Sequence, residues 1–295
     1  MAITDGLMQM ADTVQIGNAI SAAISPAFKE ASIGMGLVYA ETCSPASQVI
    51  KFRKSGSLVA EAVTEGAAYA ASDANSDIND TSVTATAAKI AVASPISVEA
   101  MRFGGGAANV ARVAAEQGRA LARKFDDDLL ALFDSVTNTA TATSTLDTDT
   151  LLTGQYKVMD SLVPPGPLVA VLDNKGAAEL RKLVANAGAA IYSSQYNSPL
   201  FGTPSQNNFI GNLLGIDIYQ TTGLSTTGGD DQGLIFNPNY AFCAAMGGSV
   251  ESVVQFSGMG VALLIPGFSD IVLSWLFYGV ALWNDAAACE IRSDT

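Results

Sequence analysis

The chain reads as an α+β protein. Three observations predict this. Residues 104–135 keep a helical period without interruption, several short runs are alternating or wholly apolar as strands are, and the two kinds follow one another without the regular alternation of a parallel α/β fold. At 295 residues the chain is long enough to bury a large core.

The helical stretch organises the rest. Val110, Val113, Ala114, Leu121, Phe125, Leu129 and Leu132 recur at three- and four-residue steps and define one apolar face. Arg112, Glu116, Arg119, Arg123 and Asp127 fall on the other side, where Arg112/Glu116 and Arg123/Asp127 are spaced as i,i+4 pairs. Alanine dominates and no proline interrupts, so the spacing predicts one helix over Ala107–Ser135, roughly 40 Å long at about 1.5 Å per residue. Gly118 weakens it slightly and admits a close neighbour.

Before this helix, residues 1–47 read as a loose arm. It has scattered helical spacing at Ile16, Ile20 and Ile24, then a short extended piece from Gly34 to Tyr39. Val49–Arg53 and Thr84–Ser97 alternate as strands. Between them, Ser55–Val83 is rich in Gly, Ala, Ser, Asp and Thr and cannot form a core of its own. The combination predicts a long projecting β-hairpin. After the helix, Val136–Thr150 reads as a linker, Thr150–Leu162 as a helix stopped by Pro164-Pro165-Gly166, and Pro167–Leu172 as a buried strand. Asp173 or Asn174 caps a helix running to Ala187. Ile191–Phe209 is a polar loop, Leu214–Tyr219 a strand, and Gly223–Gly233 another loop. Leu234–Phe236 is a strand, Pro238–Met246 a helical turn, and Val250–Gln255 a strand. Residues 260–292 are strand-like. Their apolar run from Val261 to Trp283 is broken by Pro266-Gly267 and Ser269-Asp270, and its unbroken part is shorter than the roughly 20 residues of a membrane-spanning helix.

Composition narrows the function. Only 15% of residues are charged against 49% hydrophobic, which points to surface buried between subunits. The balance of 15 Lys+Arg against 28 Asp+Glu gives −13 and disfavours a nucleic-acid-binding surface, though an acidic wall suits a container in which nucleic acid stays mobile. Cys43, Cys243 and Cys289 lack metal or disulfide spacing and read as free thiols of a reducing compartment. No basic, apolar signal peptide opens the chain. Histidine is absent, and with it the usual general base and metal ligand. There is no Gly-x-Ser-x-Gly, Walker A or metal-ligand spacing, so no catalytic, metal or cofactor residue is assigned. Gly104-Gly105-Gly106 matches no phosphate motif and reads as a strand-to-helix turn. Asp126-Asp127-Asp128 and Asp230-Asp231 read as solvated rather than metal-binding. Lys51, Arg53 and Lys54 form the densest basic patch. Its place at the hairpin base suits acidic groups of a neighbouring subunit.

The order of parts (arm, coreless hairpin, long helix, α+β unit, closing strands) resembles that of tailed-bacteriophage major capsid proteins of the Hong Kong 97-like fold. Leu213-Leu214-Gly215-Ile216-Asp217-Ile218 looks like a Leu-Leu-Gly-Ile-Pro-Val strand of the axial domain in that family, with Asp217 departing at the proline. Phe277-Tyr278-Gly279-Val280-Ala281 resembles the closing Tyr-Gly strand of its peripheral domain. The resemblance spans nearly the whole chain. It implies an arm at 1–48, an extended loop at 49–103, a peripheral domain from 104–149 and 259–295 carrying the spine helix 107–135, and an axial domain at 150–258. The last strands are expected beside the spine. It further implies hexamers and pentamers closing an icosahedral shell around double-stranded DNA, assembled in the host cytoplasm, with scaffolding, portal and decoration proteins as further partners and no membrane. The chain starts close to the arm, so scaffolding is expected from a separate protein or a removed segment. Implied intersubunit contacts are Lys51, Arg53, Lys54, Glu61, Glu65, Arg119 and Arg123. Two alternatives stand beside it: an encapsulin-like cellular compartment, which shares the fold, and a membrane or surface β-protein.

Overall fold

Two sheets meet at one long helix. The structure, a computed structural model, describes residues 24–28, 31–44, 47–54, 81–97, 106–142, 145–161, 164–186, 208–224, 231–255 and 269–293. In chain order its strands are β1 Tyr39–Thr42, β2 Val49–Lys54, β3 Thr81–Thr86, β4 Ala88–Ser97, β5 Thr139–Ala142, β6 Leu168–Asp173, β7 Phe209–Leu213, β8 Ile216–Thr221, β9 Asp231–Phe236, β10 Phe242–Met246, β11 Glu251–Gln255, β12 Ser269–Leu282 and β13 Ala288–Ser293. The helices are α1 Gly106–Leu130, α2 Thr148–Asp160 and α3 Asn174–Asn186.

The first sheet is built on β12. Strands β10 and β11 follow one another along one edge of it, with Met246 opposite Tyr278 and Glu251 opposite Trp275. β4 covers the other edge from Ser97/Ser269 to Ala88/Tyr278, and β1 joins β10 in parallel. β4 ends the sheet, and an edge strand is where Pro95 costs no ladder bond. The apolar face of α1 lies on this sheet. Ala114, Leu121, Ala122 and Phe125 are buried among Val272, Leu276 and Tyr278. The contact also has a polar register. The buried Gln117 side chain donates to Val272 O at 2.9 Å and accepts from Ser274 Oγ at 2.6 Å. Both polar groups are thereby satisfied, as burial requires.

The second sheet has the order β5-β13-β9-β6-β8-β7. Its centre, β6, is a Leu-Val-Ala-Val-Leu run buried at every one of those positions. Leu151 and Val158 of α2, with Ala177 and Leu180 of α3, cover one face. Leu129 of α1, Phe133 and Phe242 cover the other, against Val169, Val171 and Phe236 of the sheet itself. A strand covered on both faces has no reason to alternate.

Several expectations are corrected. The helix stops at Leu130, and Phe133–Ser135 is a 3-10 turn, because Phe133 stacks on Phe242 and leaves the helical path. The expected ion pairs Arg112/Glu116 and Arg123/Asp127 fall elsewhere: Glu116 pairs with Arg119 at 2.8 Å and Asp128 with Lys124 at 2.5 Å. Gly34–Gly36 forms a 3-10 turn, and extended chain begins only at Tyr39. The region read as an arm packs inward from residue 24 on, with Ile24 and Phe28 buried against α1. Phe242–Met246 is a buried strand, where a helical turn was expected. The linker after the helix contains β5. Leu214-Gly215 is the two-residue turn of the β7–β8 hairpin, with both φ values positive, so the strand starts at Ile216. The return beside the helix is made by β12 alone. β13 pairs with β9 and β5 in the second sheet.

A candidate intersubunit surface

The hairpin base is held to the body by a small cluster centred on one side chain. β2 and β3 pair from Val49/Thr86 to Lys54/Thr81. Alternation along β2 turns Phe52 inward, 3% exposed, and leaves Lys51 and Arg53 exposed with Lys54 half-buried. Phe52 packs with Ala85, Cys243, Ala245 and Trp283, and the Trp283 indole N–H donates to Arg53 O at 3.2 Å. Tyr39 completes the aromatic group, 5.4 Å from Trp283 and 6.2 Å from Phe52 between ring centres. Burial of such a ring is worth about 1.5–3 kcal/mol. The hairpin crosses β12 at Gly279, where a Cβ would stand 2.0 Å from Thr86 O. Only a glycine admits that crossing. Residues 55–80, including Glu61 and Glu65, lie outside the described residues.

The polar face of α1 forms the second part. Arg119 and Arg123 are both exposed and line a cleft of about 590 Å³ with Asp126, Asp127, Asn208, Thr221 and Thr222. The three consecutive aspartates have three different settings. Asp126 accepts from Ser32 Oγ at 2.7 Å, Ile33 N at 3.0 Å and Gly34 N at 2.9 Å, so it fastens residues 32–34 to the helix. Burial raises its pKa against the lowering effect of these donors. Asp128 accepts from Tyr278 Oη at 2.7 Å. Burial first, then this bond, raises the tyrosine pKa. Asp127 faces the cleft. Gly118 sits where residues 24–28 cross the helix, since a Cβ there would meet Ile24 O at 2.9 Å. Asp126, Gln117 and Phe52 carry these attachments, and periodicity alone does not single them out.

The predicted contact residues that the structure describes fall on two elements. Lys51, Arg53 and Lys54 belong to the hairpin base, Arg119 and Arg123 to the cleft on α1. Among the described residues, no group of three His, Cys, Asp or Glu is placed to hold a metal ion. No described helix is long and apolar enough to cross a membrane. The cysteines are free, and burial pushes the Cys243 thiol up to about 12 and Cys289 to about 11, so both stay protonated and unreactive at neutral pH.

The model of a family described as phage capsid protein matches residues 80–289, well over half of the chain. The chain belongs to the phage capsid protein family. Solved capsid structures repeat its fold. A structure of Mycobacterium phage Che8 matches with a TM-score of 0.54 at 19% identity, covering 83% of this chain and 84% of that one. The capsid of Cyanophage P-SCSP1u matches with a TM-score of 0.61 at 13% identity, covering 88% and 87%. A virus-like particle from Pyrococcus furiosus matches with a TM-score of 0.58 at 11% identity, covering 94% and 99%. No curated protein sequence matches the chain significantly. The fold is thus the Hong Kong 97-like fold of tailed-phage major capsid proteins. A phage capsid protein is a structural component of the virion shell. Its role is to associate with its own copies, not to catalyse a reaction.

Proposed function

We propose that copies of this chain form hexamers and pentamers and close an icosahedral shell around the double-stranded DNA of a tailed phage, in the cytoplasm of its host. In this reading α1 and the β12 sheet are the peripheral domain, which takes β10 and β11 from the stretch 150–258 expected to be axial; the six-stranded sheet is the axial domain, which takes in β5 and β13; and β2–β3 is the base of an extended loop that lies over the next subunit. The observation that carries it is the hairpin base: a paired ribbon fastened through Phe52, with Lys51 and Arg53 turned to solvent. Such a ribbon gains the rest of its contacts only from another copy. In this reading Arg119 and Arg123, at a cleft that also holds Asp126 and Asp127, are the groups that meet Glu61 and Glu65 of a neighbour. Weak contacts repeated around each subunit then sum to a stable shell. The net charge of −13 keeps packaged DNA from adhering to the wall. Scaffolding, portal and decoration proteins are the further partners this reading implies.

The test joins Lys54 directly to Thr81 through an Asn-Gly turn, in place of residues 55–80. Lys54 and Thr81 are opposite one another, so a two-residue turn closes the ribbon without strain. Circular dichroism and melting of this variant should match the parent. Sedimentation and electron microscopy should show particles for the parent and only free subunits or loose capsomers for the variant. Shells as stable as the parent's would sink the role given to the hairpin. A parent that stays monomeric at micromolar concentration, with scaffolding protein supplied if needed, would sink the shell itself.

A further inference from the structure

On the outer side of the six-stranded sheet, α2 carries a ridge that the subunit's own fold leaves bare. Leu152 is 44% exposed, and Tyr156 and Met159 are 65% exposed each. They sit at i, i+4 and i+7, so they form one stripe, while Leu151, Gly154 and Val158 face the core. Exposed Asp149 and Asp160 flank the stripe. A notch of about 140 Å³ beside Met159, lined by Pro164, Pro165 and Leu168, continues the apolar surface. Scattered exposed apolar residues need no explanation, but a stripe of three beside a notch marks a contact surface.

The same side of the same sheet offers the counterpart. α3 buries Ala177 and Leu180 and turns Ala178 outward, with Lys175, Arg181 and Lys182 around it. Its outer surface is flat at the alanine and basic at its rim. The ridge on α2 is bulky at its centre and acidic at its rim. α2 packs on β5, β13 and β9, and α3 on β6, β8 and β9. The two surfaces therefore lie towards opposite ends of the strand order β5-β13-β9-β6-β8-β7. Complementary, unlike surfaces towards opposite ends of one subunit make a head-to-tail contact, which forms a ring when its rotation closes and an open filament when it does not.

We propose that the occupant of the α2 ridge is α3 of a second copy of this chain. Leu152, Tyr156 and Met159 of one copy pack over Ala178 of the next, and Asp149 and Asp160 face Lys182 and Arg181. This rests on the shell reading and assigns the contact that makes its rings. The aliphatic stems of Lys182 and Arg181 extend the apolar floor while their charged heads reach the acidic rim.

The test uses the full chain and four variants. Tyr156→Ser with Met159→Ser removes the ridge. Asp149→Lys reverses one side of the facing pair Asp149/Lys182, and Lys182→Asp the other. A fourth variant combines the two reversals. All these positions are exposed, so melting temperatures should stay at the parent value. Sedimentation should show at least a tenfold loss of ring- and shell-sized material in the first three. The combined reversal should recover most of it. Assembly of the ridge variant at the parent level would overturn the proposal and leave the shell reading intact, with the ridge then free for another protein. Loss without recovery in the combined variant would overturn α3 as the counterpart. Absence of any assembly by the parent would remove the shell reading and this contact with it.

Discussion

Strands β6 and β2 are both six residues long, and their fates differ. β6 buries Leu168 to Leu172 without a gap, between two helices on one side and the aromatic cluster of Phe133, Phe236 and Phe242 on the other. β2 buries one residue, Phe52, and faces solvent through Lys51 and Arg53. The first strand is completed by its own chain. The second is attached to it through one small cluster. The difference shows where the apolar residues lie: β6 is buried along its length within the subunit, and β2 only around Phe52.

Substitutions at matched positions sharpen this contrast. Leu172→Ala empties a site 1% exposed at the centre of the sheet and should cost about 2–5 kcal/mol, read as a lowered midpoint in denaturant with the whole subunit affected. Phe52→Ala removes an equally buried ring but only from the small cluster around Trp283. Its main effect should be local: amide exchange should rise across 49–54 and 81–86, with protection of 168–173 and the global midpoint changed far less than by Leu172→Ala. An equal global loss from both would mean that the hairpin base belongs to the core. Lys51→Ala should be the mildest, within about 0.5 kcal/mol of the parent in the isolated subunit. A larger loss would reveal a partner for Lys51 within its own chain.

What could be read from the sequence follows the same physics. The long helix was legible because its period is 3.6 over many turns and its inward positions, Ala114, Leu121, Phe125 and Leu129, are buried as expected. The hairpin was legible because its flanks alternate. Phe242–Met246 was not, because a strand covered on all sides shows no alternation, and Ala and Met favour helices when tertiary contacts are ignored. The turn at Leu214-Gly215 was hidden because leucine is not a residue that announces a positive φ. Which sheet β13 would join was beyond any pattern, since alternation marks a strand and not its partner. The basic residues of the candidate surface were found by composition. Their division between hairpin and helix, and the attachments through Phe52, Gln117 and Asp126, depend on contacts between residues far apart in the chain.

Gly279 has a consequence for shape. Thr86 O rests where its side chain would be, so the hairpin leaves the body at an angle set by the thickness of one missing methyl group. The paired part beyond that crossing is six residues long, about 20 Å of ribbon. A crossing point at the root of a stiff arm works as a fulcrum. A side chain at 279 would lift the ribbon there by an ångström or so and strain the Phe52 and Trp283 contacts that fasten it farther out. In the shell reading, the pitch of that arm decides where the next subunit is met, so one glycine in the body helps to govern the curvature of the particle.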